Sequence, residues 1–308
     1  MYRDRIEKIV TTEPSSTEII AYLDNGVYRI MGVSDKCDYP AEVISKPKIV
    51  RSLVNIPEDM PSREIDRIIR EYKKSGKPLF EIDWDLVRMI DPDLIVGQTL
   101  CDVCAFPLKT SINNYIGSKP VFRSFKVPKI IDYSPHSFMA IAEEALKIAK
   151  IIDRIDRGLE LYDRFKAYRE ELKDLGKGHR TAVIEWLDPL YIAGHWVSDL
   201  VEYSGSKSIL GSGEPGIRIN VETLINFNPD IVIIAPCGFN IDRTLMEIDV
   251  LSEKPWWRNL EAVRRKNVYI VDSTYTARPS PRTIGFAEFL IDIYTGSQPS
   301  REIAVRIE

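Results

Sequence analysis

Val87–Asp102 reads VRMIDPDLIVGQTLCD, and Leu224–Phe239 reads LINFNPDIVIIAPCGF. Each stretch gives, in order, a short helical segment, a Pro-Asp step, a run of consecutive apolar residues and a loop that holds a cysteine. Proline has no N–H and clashes with the turn before it, so the helix stops there. A short unbroken apolar run bounded by turn residues is the pattern of a strand buried on both faces, as in parallel sheets. The same unit twice in one chain predicts an internal structural repeat, two α/β halves rather than one.

Working outward, RIEKIVTTEPSSTEIIAYLDNG (5–26) predicts a strand on Ile6, Ile9 and Val10 and then a helix. Ser15, Ser16 and Thr17 offer N-caps, and Ile19, Ile20 and Leu23 form the apolar stripe. YRIMGVS (28–34) and KPVFRSF (119–125) are further strands, and PSREIDRIIREYKKSG (61–76) is an amphipathic helix. Strands alternating with helices mean βαβ units and a mostly parallel sheet. Residues 134–175 break this rhythm, with apolar positions at helical spacing, Ser134 and Pro135 suited to the start, and Gly158 a point of kink or break. Residues 153–175 are expected to form one rigid helix joining the halves. After it, RTAVIEW (180–186) and NVYIVD (267–272) are strands and SPRTIGFAEFLIDIY (280–294) is a closing helix. HWVSDLVEYSGSKSIL (195–210) echoes PSSTEIIAYLDNGVYRI (14–30), and GSQPSREIAVRIE (296–308) reads as a tail. The expected fold is α/β: two Rossmann-like lobes with parallel sheets (1–133 and 176–308), a helical connector (134–175) and a ligand cleft between the lobes.

The 308 residues carry 42 basic and 46 acidic side chains, a net charge of −4, with no basic block, which argues against a nucleic-acid partner. No apolar run approaches the roughly 20 residues that cross a bilayer. The first residues lack the apolar core of an export signal and no cysteine precedes Cys37. The expectation is a monomer, cytoplasmic as written or extracytoplasmic if a leader has been removed. Four cysteines in this length do not make a disulfide framework.

In open parallel sheets, ligands bind beyond the carboxyl ends of the strands. Cys37, the C-x-x-C pair Cys101 and Cys104, Cys237, Trp186, Asp188 and Tyr275 all follow such strands. The cysteines admit four readings: packing, contact with a bound ligand, a redox pair, or a metal or iron–sulfur site. His195 and Trp196 open a helix, and Arg278 is placed to meet an anionic group on a ligand. No Gly-rich phosphate loop, nucleophile elbow or acid–base pair appears, so the chemistry expected is binding rather than catalysis.

The chain resembles the helical-backbone substrate-binding proteins of ABC importers, the group that carries cobalamin, iron–siderophore and heme cargo. The resemblance rests on EPSSTEIIAYLDNGVYRIMGVSDKCDYP, IDPDLIVGQ, YIAGHWVSDLVEYSGSKSIL, NPDIVIIAPCG and RPSPRTIGFAEFL, which span most of residues 6–295 in order. It is nearest to the cobalamin-binding members. It implies a non-enzymatic receptor, with no required cofactor, that takes a corrinoid or related metal chelate (heme or a siderophore as cargo) and docks on a permease. The ligand walls it implies are Glu13, Pro14 and Ser15, Lys36 and Cys37, Gln98, Trp186 to Asp188, Cys237 and Tyr275. Gln98 stands where the family often has tryptophan, and the four cysteines depart from its usual pattern. Docking falls to one acidic residue per lobe, Asp102 and Asp242. The alternative is an intracellular metal- or iron–sulfur-binding protein that uses Cys37, Cys101, Cys104 and Cys237 on the same scaffold.

Overall fold

The computed structural model describes residues 5–98 and 127–307. Cys101, Asp102, Cys104 and the expected strand 119–125 lie outside these residues. The chain divides into two compact units. The first holds residues 5–55, 69–98, 127–134 and 143–161, and the second holds 56–68, 135–142 and 162–307. Residues 56–68 come from the first half of the sequence but belong to the second unit.

In the first half of the chain the elements are β1 (Ile9–Thr11), α1 (Pro14–Asp24), β2 (Ile30–Ser34), β3 (Lys48–Ser52), α2 (Ser62–Lys74), β4 (Phe80–Ile82), α3 (Trp84–Ile90), β5 (Leu94–Gly97) and β6 (Lys129–Asp132). The first unit's sheet runs β4-β3-β2-β1-β5-β6 and is parallel except for β4. β5, inside the sheet between β1 and β6, is buried throughout, which is why its sequence is an unbroken apolar run.

Helices α4 (Phe138–Ile151) and α5 (Ile155–Leu172) occupy the expected connector. The helix expected over 153–175 forms as one continuous element, Ile155–Leu172, and a separate helix precedes it. The chain turns at Ile152–Arg154, where Asp153 takes a left-handed φ of 55°. Gly158 is not the break. A Cβ there would lie 2.6 Å from the Ala149 Cβ and 3.3 Å from the Leu146 Cα, so the missing side chain lets the start of α5 lie against the end of α4. α5 is regular past this contact, so Ala167→Pro is expected to cost about 3 kcal/mol or more, through the lost N–H and the clash with the preceding turn. An unchanged thermal midpoint would show that the segment is not helical at Ala167.

The rest of the second unit contains β7 (Thr181–Trp186), β8 (Tyr191–Ile192), α6 (His195–Tyr203), β9 (Ile217–Arg218), α7 (Val221–Phe227), β10 (Ile231–Ile234), α8 (Ile241–Leu245), α9 (Asp249–Ser252), α10 (Glu261–Arg264), β11 (Val268–Val271), α11 (Thr283–Thr295) and β12 (Ala304–Ile307). Its sheet runs β12-β11-β10-β7-β8-β9. β7, β10 and β11 pair in parallel; β8 pairs antiparallel with β7, β9 with β8 and β12 with β11. The expected tail therefore ends in a strand, whose Ala304 and Val305 face an apolar partner in β11. Trp257 is buried in the core beneath this sheet with Ile184, Val232 and Leu260.

The internal repeat is real and is local. Asp83 caps α3 through the Leu86 N–H at 2.8 Å, and Asn220 caps α7 through the Thr223 N–H at 2.9 Å. Both helices end on a left-handed residue, Asp91 and Asn228. The aspartates of the two Pro-Asp steps then do the same work. Asp93 accepts from the Glu7 and Lys8 N–H groups at 2.9 and 3.0 Å, and Asp230 accepts from the Arg180 N–H at 3.0 Å. Each carboxylate thus sets the start of the neighbouring central strand, β1 or β7. The echo between α1 and α6 is looser. α1 follows the carboxyl end of β1 directly, whereas α6 is reached through β8, which returns antiparallel to β7.

Candidate functional site

In the first unit the loops after β1, β2 and β5 carry the expected ligand residues. Glu13, rather than Ser15, Ser16 or Thr17, is the N-cap of α1: its carboxylate accepts from the Ser15 N–H at 2.5 Å and the Ser16 N–H at 2.7 Å. Pro14 fits the first helical position because no N–H is needed there. Glu13 and Ser15 are buried. Burial raises the Glu13 carboxyl above its usual range, while the two N–H bonds from Ser16 and Ser15 pull it back. Cys37 is buried too, its Sγ 3.1 Å from the Thr17 Oγ1. Burial pushes its thiol up to about 12, against the pull of the Thr17 hydroxyl, so at neutral pH it packs as a protonated thiol. Lys36 beside it is exposed and Gln98 is half-buried.

In the second unit, Trp186 ends β7 and donates its indole N–H to the Ser62 carbonyl at 3.2 Å, with its ring tilted against Phe239. Asp188, before cis-Pro189, pairs with exposed Arg63 at 2.8 Å. Cys237 is exposed after β10. Tyr275 is half-buried after β11; Gly285 leaves room for its ring, since a Cβ there would lie 2.6 Å from the Tyr275 Cδ1, and the Arg282 guanidinium sits 5.4 Å from the ring centre. Arg278 is half-buried and its carbonyl accepts from the Thr283 hydroxyl at 2.9 Å. His195 and Trp196 do not follow the carboxyl end of a parallel strand. Trp196 is a core residue whose indole N–H is bound to the Thr276 carbonyl at 2.7 Å.

The four-cysteine site falls partly outside the described residues. Cys37 is buried within the first unit, Cys237 is exposed in the second, and Cys101 and Cys104 lie outside the described residues. Among the described residues, no three His, Cys, Asp or Glu side chains converge as a metal site. Alkylation of the native protein at mildly alkaline pH is expected to modify Cys237 and spare Cys37, as read by peptide mass spectrometry. Equal rates at the two would contradict the burial argument.

Sequence reasoning missed the strap at 56–68. Ser62 donates its N–H at 2.7 Å and its hydroxyl at 2.5 Å to Glu247, which also holds Arg243 at 2.9 Å; Arg243 in turn binds the Met60 carbonyl at 2.6 Å. The only sequence signal was a serine at the start of a strong amphipathic helix. Its acceptor lies 185 positions away. His136 is exposed and lies edge-on to His195 with ring centres 5.1 Å apart.

Residues 9–275 match the periplasmic binding protein family over most of the chain. The chain belongs to the periplasmic binding protein family. Members of this family are substrate-binding proteins. The heme uptake system protein IsdE of Staphylococcus aureus is 19% identical over 279 residues, covering 86% of each chain. An ABC transporter substrate-binding protein from Listeria monocytogenes superposes with a TM-score of 0.68 at 16% identity, over 94% of this chain and 98% of that one. The vitamin B12 binding protein BtuF of Vibrio cholerae gives 0.66 at 16% identity, over 96% and 99%. At these identities the solved structures establish the fold. Among the described residues of this periplasmic binding protein, no helix is long and apolar enough to cross a membrane.

Proposed function

We propose that this receptor takes up a corrinoid or a related metal chelate such as heme, without chemical change, and delivers it to an ABC permease. The observation that carries this reading is the pair of aromatic residues Trp186 and Tyr275 at the carboxyl ends of β7 and β11. Both are half-buried side chains already held in place, by the Ser62 carbonyl and by the Gly285 gap. Fixed flat apolar surfaces beside a few polar groups are what a large planar ligand needs, because ordering them at binding costs nothing further. Named relatives that bind heme and vitamin B12 support the same cargo class. Asp242, exposed in the first turn of α8, is the second unit's candidate for the permease contact; Asn240, not Asp242, caps that helix.

Calorimetric and absorbance titration with cobalamin, cobinamide, heme and ferric siderophores tests the reading. One of them is expected to bind at one equivalent, and Trp186→Ala is expected to weaken it about tenfold, or ~1.4 kcal/mol. Failure of all four to bind would sink the proposal.

A further inference from the structure

We propose that His136 and His195 form a binding site for a late first-row divalent metal ion, of the zinc class, within the second unit. The inference stands apart from the cargo reading above and does not use the cysteines.

His195 Nδ1 is buried and has no hydrogen-bond partner. Buried polar atoms in folded proteins are nearly all partnered, so an orphaned ring nitrogen calls for an occupant. The ring beside it is that of His136, 5.1 Å away between centres and inclined by 66°. Two imidazoles on one tetrahedral zinc, with metal–nitrogen bonds of about 2.0–2.1 Å, place their ring centres about 5 Å apart. The observed ring spacing is of that size. Imidazole is a good ligand for zinc, nickel and copper. The Gly213 carbonyl also interacts with the His195 ring.

The surroundings hold the two rings together rather than leaving them to chance. Asp199, one turn beyond His195 on α6, accepts the Phe138 N–H at 2.9 Å and also binds the Ser212 hydroxyl. It thereby ties the segment of His136 and the loop of Gly213 to the helix that carries His195. The His195 N–H donates to the Glu214 carbonyl at 2.6 Å, and its backbone is held in the left-handed region at φ 51°. Two protein ligands leave coordination positions open to water or to a small anion. The site is thus a weak, exchangeable one, distinct from a closed structural zinc centre.

The chain has three histidines, which makes the test self-controlled. Imidazole resonances of the full-length ¹⁵N-labelled protein are followed while zinc chloride is added. The resonances of His136 and His195 are expected to move together and saturate at one equivalent. His179, which stacks on Tyr294, is expected to stay in place. His136→Gln changes an exposed residue and leaves the fold intact; it is expected to abolish the zinc-dependent shift of His195. The proposal is overturned if His195 still responds in that variant, if His179 moves in step with the others, or if no histidine responds to excess zinc.

Discussion

Glu247→Ala is expected to lower the unfolding free energy by about 3–5 kcal/mol, because it strands a buried charge. The Glu247 and Arg243 side chains are 9% and 13% exposed, and their ion pair is 2.9 Å long. Glu247 also accepts both Ser62 bonds, so its loss leaves the Ser62 N–H, the Ser62 hydroxyl and the Arg243 guanidinium short of an acceptor together. Arg243 keeps the Met60 carbonyl, but its Nε is already without a partner. Glu247→Gln keeps the shape and an acceptor oxygen and is expected to cost less. Urea unfolding followed by tryptophan fluorescence measures the difference, and protease sensitivity between residues 56 and 61 reports release of the strap. A loss below about 1 kcal/mol, the worth of an exposed pair, would falsify the view that this carboxylate anchors residues 56–68.

Gly194→Ala is the second large effect. A Cβ at this position would lie 2.2 Å from the Glu214 carbonyl oxygen, 2.4 Å from the Gly216 nitrogen and 2.5 Å from the Pro215 carbonyl carbon. All three are backbone atoms, so no side chain can rotate away to make room. The Gly194 φ of −119° is open to any residue, which makes the whole penalty steric. The expected cost is at or above the upper end of the ~1–3 kcal/mol typical of overpacking. The His195 N–H bond to Glu214 lengthens with it, so the His195 resonances move even without zinc. Wild-type stability together with unmoved His195 resonances would show that the 214–216 loop is not held against Gly194.

Much of this molecule follows from local sequence. The two Pro-Asp units predict helix, stop and buried strand because proline cannot continue a helix beyond its first turn and a strand covered on both faces is apolar. Caps such as Asp83 and Asn220 work within three residues, so they too are legible. The strand-end placement of Lys36, Gln98, Trp186, Cys237 and Tyr275 follows from strand polarity alone. The family resemblance is carried by the same short motifs.

Other features depend on which distant segments meet. Cys37 looks like a ligand in sequence and is a packed thiol in the fold, because burial depends on what α1 lays over it. His136 looks like an isolated surface residue until α4 and α6 bring it beside His195. The last residues read as a tail because their few apolar side chains carry no strong pattern; their strand exists only because β11 offers an open edge. The connector divides at Ile152–Arg154, where no proline or glycine marks the break, and Gly158 owes its place to a neighbouring helix. Composition and periodicity, which act within a turn or a strand, thus determined the elements, their order and their polarity. Which unit claims residues 56–68, and which side chains are held there, was decided by hydrogen bonds such as that between Ser62 and Glu247. A pairing across 185 positions leaves no periodic trace in the sequence.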